Sequence, residues 1–391
     1  MRALCWNGVN DLRVETVPDP RILSHGDAII RVTMSSVCGS DLHLIGGHMP
    51  AMKRGDILGH EFVGEVTEVG PGVKELRTGD RVVVCSLLGC GECWYCKNQL
   101  WSLCDNSNPK PEMMERLWGQ SIAGVLGYSH AAGGYAGSHA EYVRVPFADH
   151  NAFKIPDGVP DERAVFASDA LPTGYMAADN CNIKAGDVVA VWGCGGVGQM
   201  AIRSAFLLGA GRVIAIDHVP ERLRMARERA GAETLSFEEV NVREALHEMT
   251  GGRGPDACIE AVGMEADATG IEDVYDRTKQ KLRLETDRPA ALRQAIMACR
   301  KGGTVSIVGV FMGYVDKFPI GAAMNKGLTF RMGQQHGQRY IPRLLEHLQR
   351  GEIDTSYLMT HRMRLEEGPR GYELFKEKKD GCVRAVFTPQ A

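Results

Sequence analysis

Residues 188–217 read "VVAVWGCGGVGQMAIRSAFLLGAGRVIAID", and few architectures accommodate that order of signals. A short apolar run bounded by turn residues predicts a buried strand, Val188–Trp192. The stretch "GQMAIRSAFLLGA" has helical periodicity and ends in glycine, and "RVIAID" predicts a second strand. Strand, helix and strand in so short a span form a parallel crossover unit, which places the chain among α/β folds with a doubly wound parallel sheet. Between strand and helix lies Gly193-x-Gly195-x-x-Gly198, with Gly196 and Val197 inside it. The first glycine permits a tight turn, the second lets a pyrophosphate approach the backbone, and the third lets helix and strand pack closely. A phosphate then sits at the helix N-terminus. Asp217 ends the second strand. A carboxylate there accepts from ribose hydroxyls and repels a 2′-phosphate, so NAD is favoured over NADP. His218, Arg222 and Arg224 are the nearby cations that a phosphate would recruit instead. "GGRGPDACIEAVG" and "GGTVSIVGVF" read as two more strands of the same sheet.

A second local signal is "GCGECWYCKNQLWSLC", residues 89–104. The N-terminus has no apolar run of signal-peptide length, and no segment approaches the ~18 apolar residues of a spanning helix. The chain therefore reads as a soluble cytoplasmic protein. Its formal charge of −4 over 391 residues gives no basic field for nucleic acid or anionic membrane. In that compartment twelve cysteines are not a disulfide framework. Overlapping Cys-x-x-Cys units bring Cys90, Cys93 and Cys96 to one ion, and Cys104 closes the set. Four thiolates leave no open position, so the expected zinc is structural; an iron–sulfur centre on the same cysteines is the alternative.

Residues upstream carry more chemistry. "SSVCGSDLHLIGG" offers Cys38, Ser40, Asp41 and His43, and "LGHEFVGEV" offers His60 and Glu61. A catalytic zinc takes about three protein ligands and keeps one position open, and Cys38 with His60 would suit it. Each residue alone is as readily explained by packing or surface position. Their order before a four-cysteine loop makes them informative.

Together "CGSDLH", "GHE", "GDRVVV", the four-cysteine loop and "GCGGVG" resemble the zinc-containing medium-chain alcohol dehydrogenases over nearly the whole chain. The resemblance implies a GroES-like β-rich catalytic domain, residues 1–168 completed by 313–391, and a Rossmann domain, residues 169–312. It implies Cys38 and His60 as catalytic zinc ligands, Ser40 and His43 as a proton relay, Asp41 orienting His60, and Glu61 behind the metal. Many members supply a third cysteine ligand. Here "FASDALPTGYMAADN" places Asp169 at that point, similar to the glutathione-independent formaldehyde dehydrogenases and dismutases. Cys181 is the alternative ligand, and a helix cap is the ordinary role for such an aspartate. The resemblance further implies Arg222 beside the ribose or adenine, backbone around Val308 and Val310 on the nicotinamide carboxamide, and Arg384 on the pyrophosphate. Gly39 departs from relatives that carry a basic residue there. The polar segment 264–290 resembles an insertion that covers bound cofactor in the formaldehyde dehydrogenase branch; a surface loop is the other reading.

The expected activity is hydride transfer between NAD and a small alcohol or aldehyde, such as formaldehyde, with two zinc ions per chain. An aldehyde dismutase with tightly held NAD is one alternative. Another is a non-catalytic binding module of the same fold, against which the retained Cys38, Ser40, His43 and His60 argue. Trp118, Tyr128 and His130 either wall a substrate pocket or simply pack. The family assembles as homodimers or homotetramers.

Overall fold

Alternation decides which way each strand of the cofactor half faces. In Val188–Trp192, Val189 and Val191 enter one apolar cluster, with Ala201, Ile202 and Ala205 of the helix Gly196–Leu207. Ala190 and Trp192 enter another, with Leu292, Ala295 and Ile296 of the helix Ala290–Ala298. The next strand, Arg212–Asp217, repeats the division: Val213 and Ala215 to the first cluster, Ile214 and Ile216 to the second. A strand buried on both faces reads as a continuous apolar run, and helices must cover both sides. The six strands in chain order are Val188–Trp192, Arg212–Asp217, Glu233–Ser236, Ala257–Glu260, Thr304–Ile307 and Thr329–Met332. They lie side by side as third, second, first, fourth, fifth, sixth, all parallel. This is the doubly wound dinucleotide-binding order, and the first and fourth strands flank its switch point.

The computed structural model describes residues 1–264 and 289–389; most of the 264–290 segment lies outside them. The chain divides into two units, Met1–Pro172 with Gln335–Ala391, and Thr173–Gln334. Two expected boundaries therefore move. The return to the first unit comes at 335 rather than 313, because Thr329–Met332 pairs with Thr304–Ile307 as the sheet's sixth strand. The other change falls within the helix Ala170–Asp179, so Asp169 belongs to the first unit and does not open the second.

The first unit is β-rich. Its larger sheet runs His361–Arg364, Ala385–Thr388, Ala28–Ser36, Glu61–Val69, Arg81–Val84 and Ala152–Lys154, with Tyr142–Val145 also paired to Ala28–Ser36. Ala28, Ile30, Val32, Val82, Val84, Val143 and Val145 point inward at alternate positions and share one core with Phe62 and Leu126. Register decides what gathers at one end of this sheet. Ser36 faces Glu61, Phe62 faces Val84, and Val386 faces Ser36. Cys38, His60, Ser86 and Arg384, each one or two residues past a paired end, are thus brought together.

The glycine turn shows why its residues have no side chain. Gly193 has φ +90°, and a Cβ on Gly198 would lie 1.7 Å from the Gly193 carbonyl oxygen. Backbone cannot yield as a side-chain tip can. Gly198→Ala is expected to shift the turn, to cost roughly 1–3 kcal/mol of stability and to abolish NADH binding. Urea unfolding and NADH fluorescence check both.

Candidate active site

Residues 168–170 are pinned before their chemistry begins. Ser168 Oγ accepts the Phe62 N–H at 3.1 Å and also donates to the Val84 carbonyl. The Ala170 N–H donates to Glu61 Oε1 at 2.9 Å. Asp169, between them, turns its Oδ2 to within 3.3 Å of Cys38 Sγ and 3.7 Å of His60 Nε2. All three side chains are buried, and their ligand atoms lie within 4.8 Å of one another. Ligands around a tetrahedral zinc, bound at ~2.0–2.3 Å, stand roughly 3.3–3.8 Å apart. Both distances from Asp169 Oδ2 fall in that range, and the trio would supply three of four positions. The Ser40 hydroxyl lies 3.4 Å from Cys38 Sγ and 3.3 Å from His60 Nε2, against two of the three ligand atoms.

The electrostatics fit a cation. Burial disfavours charge on His60, yet Asp41 and Cys38 outweigh it and raise the ring's pKa well above its ordinary value. The aromatic edge of Tyr128 meets that ring at a centroid distance of 6.2 Å. Asp41 Oδ1 and His60 Nδ1 face each other at 3.3 Å, and neither buried atom has a well-formed hydrogen bond. A metal on Nε2 would fix the proton on Nδ1, aimed at Asp41. Glu61 is wholly buried behind the trio. Burial pushes its carboxyl up to about 7, opposed by Arg384 and reinforced by Asp169. Arg384 is itself 2 % exposed, donates to the Val37 carbonyl and stands 3.8 Å from Glu61 Oε2. Its Nε is buried without a partner. His43 lies buried in the short helix Asp41–Ile45 that Ser40 precedes. Cys181 packs in the cofactor unit's core and donates to Ala177 O at 3.3 Å. Trp118 is 42 % exposed, and His130 is paired with Asp56 at 3.0 Å.

The four-cysteine loop makes the second cluster, with sulfurs of Cys90, Cys93, Cys96 and Cys104 mutually within 4.8 Å. Cys93 and Cys104 Sγ stand 3.9 Å apart, too far for a disulfide and close to the ~3.8 Å edge of a zinc–thiolate tetrahedron. Backbone N–H groups of Glu92 and Cys93 point at Cys90 Sγ, and that of Cys90 at Cys104 Sγ, which favours thiolates.

In the cofactor unit, Asp217 Oδ2 accepts the Cys194 N–H at 2.7 Å, and Oδ1 accepts from His218 and Val219 at 2.7 and 3.0 Å. The acid thereby holds the glycine turn as well as facing the expected ribose. Gln199 donates to the Cys194 and Arg222 carbonyls, tying Arg222 to the same turn. The Val308 N–H donates to Glu260 O and the Val310 carbonyl accepts from Met264, fixing the strand end where the nicotinamide is expected. A Cβ on Gly39 would meet nothing within 4 Å, so its lack of a side chain is not forced by packing.

A family model for the alcohol dehydrogenase GroES-like domain matches residues 24–157, and one for zinc-binding dehydrogenases matches residues 196–350. An uncharacterised zinc-type alcohol dehydrogenase-like protein of Bacillus subtilis is 41 % identical over the full length of both chains. The chain belongs to the zinc-type alcohol dehydrogenase family. Formaldehyde dismutase of Pseudomonas putida is 33 % identical, covering 80 % of this chain and 75 % of that protein. Among solved structures, the alcohol dehydrogenase of Thermus sp. ATN1 superimposes with a TM-score of 0.83 at 36 % identity, over 99 % of each chain. The fold is thus the GroES-like domain with a Rossmann-type parallel sheet. No helix among the described residues is long and apolar enough to cross a membrane.

The dehydrogenase site also includes residues that no sequence motif signalled. Tyr372 donates its hydroxyl proton to Asp41 Oδ2 at 2.8 Å, alongside the Cys38 N–H at 2.9 Å. His139 Nε2 lies 2.8 Å from the Tyr372 oxygen, and His139 Nδ1 lies 2.7 Å from Ser35 Oγ. Because Tyr372 has given its proton to Asp41, its oxygen accepts. His139 therefore carries a proton on Nε2, and in the neutral ring Nδ1 accepts from Ser35. Burial drives the His139 pKa down to about 4, against the opposing pull of Asp41. A histidine protonated near 6.5 when unfolded and only near 4 when folded favours the unfolded state as pH falls between those values. His139 alone is expected to withdraw native-state stability from pH ~6.5 to ~4, by on the order of 3 kcal/mol at most, while the raised Glu61 carboxyl acts in the opposite sense. His139→Gln should flatten that part of the pH dependence, read as urea midpoints of the two proteins at pH 7.5 and 5.

Proposed function

We propose that the protein is a zinc-dependent oxidoreductase that transfers hydride between NAD and a small alcohol or aldehyde, formaldehyde included. The observation that carries this reading is the buried Cys38–His60–Asp169 trio with the Ser40 hydroxyl set against two of its ligand atoms. Cys38, His60 and Asp169 would hold the catalytic zinc, and the four cysteines at 90, 93, 96 and 104 the structural one. Gly193, Gly195, Gly196, Val197 and Gly198 would hold the pyrophosphate, with Arg384 a further donor. Asp217 and Arg222 would take the adenosine ribose, and backbone at Val308 and Val310 the carboxamide. When bound, zinc supplies Lewis acidity toward a substrate oxygen and NAD supplies the hydride acceptor.

The chain's own residues do the rest. Ser40 Oγ takes the hydroxyl proton of the alcohol, and His43, within the helical turn that Ser40 precedes, hands it on toward solvent. Asp41 holds the His60 ring, so Nε2 keeps its direction through turnover. Asp217, a carboxylate already fixed by three N–H donors, supports NAD over NADP by repelling a 2′-phosphate.

A second reading, an aldehyde dismutase that keeps its NAD, is supported by the likeness to the Pseudomonas putida dismutase and by an aspartate as third ligand. Activity on aldehyde without added NAD separates the two. Thr329–Met332 has one neighbouring strand among the described residues and exposes Met332, which supports a homodimer or homotetramer.

Purified protein is expected to carry two zinc ions per chain, and Ser40→Ala to cut turnover by ~10²–10⁴-fold with zinc unchanged. Elemental analysis and steady-state kinetics test both. One zinc per chain would remove the catalytic assignment of the trio, and unchanged turnover would remove Ser40.

A further inference from the structure

Asp169 has two oxygens, and the protein treats them differently. Oδ2 faces Cys38 and His60. Oδ1 accepts from Gln335 Nε2 at 2.6 Å and from Ser86 Oγ at 3.1 Å. Gln335 Nε2 also donates to Ser86 Oγ at 2.8 Å, which closes a triangle of three hydrogen bonds, and lies 3.3 Å from the Ser168 carbonyl. Gln335 is 1 % exposed and Ser86 equally buried, so water does not compete.

We propose that Gln335 and Ser86 are positioning residues that hold Asp169 to one oxygen toward the metal. The inference rests on the trio being the catalytic zinc site. A carboxylate can bind zinc through one oxygen or both. With Oδ1 saturated by two donors, the second mode is closed, and one coordination position stays available to substrate. A cysteine ligand needs no such device, since a thiolate has one donor atom. The arrangement answers a requirement that aspartate introduces.

The choice of glutamine supports this over a packing role. Its amide is neutral, so it anchors Oδ1 without cancelling the negative charge the cation needs; an arginine or lysine would compete with the metal. The amide cannot be reversed, because Oε1 would then stand against a carboxylate oxygen. In the orientation adopted, Oε1 is buried without a partner. Gln338, three residues on, is a built-in comparison. It too is buried with an unpartnered Oε1, but its amide nitrogen donates to Leu87 O at 2.6 Å and Asn151 Oδ1 at 2.8 Å and to none of the trio.

The test uses full-length protein loaded with zinc or cobalt. Cobalt at the catalytic position is read as the difference spectrum against Cys38→Ser, which leaves the four-cysteine site intact. Gln335→Leu is expected to weaken zinc at the trio by ~10–100-fold in chelator competition. It should also lower the intensity of the visible cobalt bands, as Asp169 becomes free to bind through both oxygens. The four-cysteine ion should be unaffected. Ser86→Ala should act the same way more weakly, and it carries the test alone if Gln335→Leu does not fold. Gln338→Leu should leave affinity and spectrum unchanged. Wild type that takes two ions, with affinity and spectrum unmoved by Gln335→Leu or Ser86→Ala, overturns the clamp alone. So does an equal effect from Gln338→Leu. Wild type that takes only one ion overturns the trio and the clamp with it.

Discussion

Three carboxylates, Asp41, Glu61 and Asp169, are buried at one end of the catalytic unit's sheet, and each has two oxygens to direct. Each acid is divided in the same way. Asp41 gives Oδ2 to Tyr372 and the Cys38 N–H, and turns Oδ1 to His60. Glu61 gives Oε1 to the Ala170 N–H and turns Oε2 to Arg384. Asp169 gives Oδ1 to Gln335 and Ser86, and turns Oδ2 to Cys38 and His60. One oxygen of each is fixed by neutral donors, and the other is directed at a charged or chargeable group. An unpaired charge in such a place costs several kcal/mol. The arrangement therefore concentrates negative charge where a cation can answer it and holds it in fixed directions.

Those donors explain why the catalytic unit is discontinuous in sequence. Gln335, Tyr372 and Arg384 all come from the segment after the cofactor unit, while the acids they serve lie before it. The returning segment adds the strand Ala385–Thr388 beside Ala28–Ser36, and that pairing sets Arg384 against Val37. Completing the sheet and completing the site are thus one event. The polar partners of Asp41 and Asp169 are supplied from 331 and 166 residues away, so the site cannot be assembled early or locally, and its folding carries the loop-closure cost of distant contacts.

The same distances set what was legible in the sequence. The glycine turn, Asp217 and the four cysteines are local patterns, and the structure places each where its spacing implied. Cys38, His60 and Asp169 are not local to one another, but each stands in a short motif, and the motif order brought them together. Gln335, Ser86, Tyr372 and His139 stand in no motif, and a glutamine or serine has no periodicity to mark it. Only the fold shows that they converge. That the contact division returns at 335 and not near 313 was unmarked in the sequence for a related reason. Thr329–Met332 is short, carries an arginine and is mostly exposed, so it lacks the apolar run that marked the inner strands. It is an edge strand, and edge strands are where the hydrophobic signal fades. The resemblance implies a cofactor half that opens at Asp169, where an apolar helix follows. Yet Ser168, Asp169 and Ala170 are all bonded to strands or side chains of the first unit.

The two candidate metal clusters differ in what surrounds their side chains, and that difference bears on the roles proposed for them. The four thiolates receive their hydrogen bonds from backbone N–H groups of their own loop and from Asn106, and all four positions are filled by protein. Such a site is complete when its loop closes, and it has nothing to offer a substrate. The trio fills three positions, and its supports come from five separate stretches of chain. Ser40, with a transferable proton, is set against it in place of a fourth ligand. A site meant only to stabilise would not need its aspartate held to one oxygen, its histidine held through Asp41, Tyr372 and His139, and a hydroxyl against the ligand cluster. Each of these costs buried polar groups that must be satisfied from afar. The return on that cost is a metal position whose geometry is fixed by the protein while one coordination place stays free for chemistry.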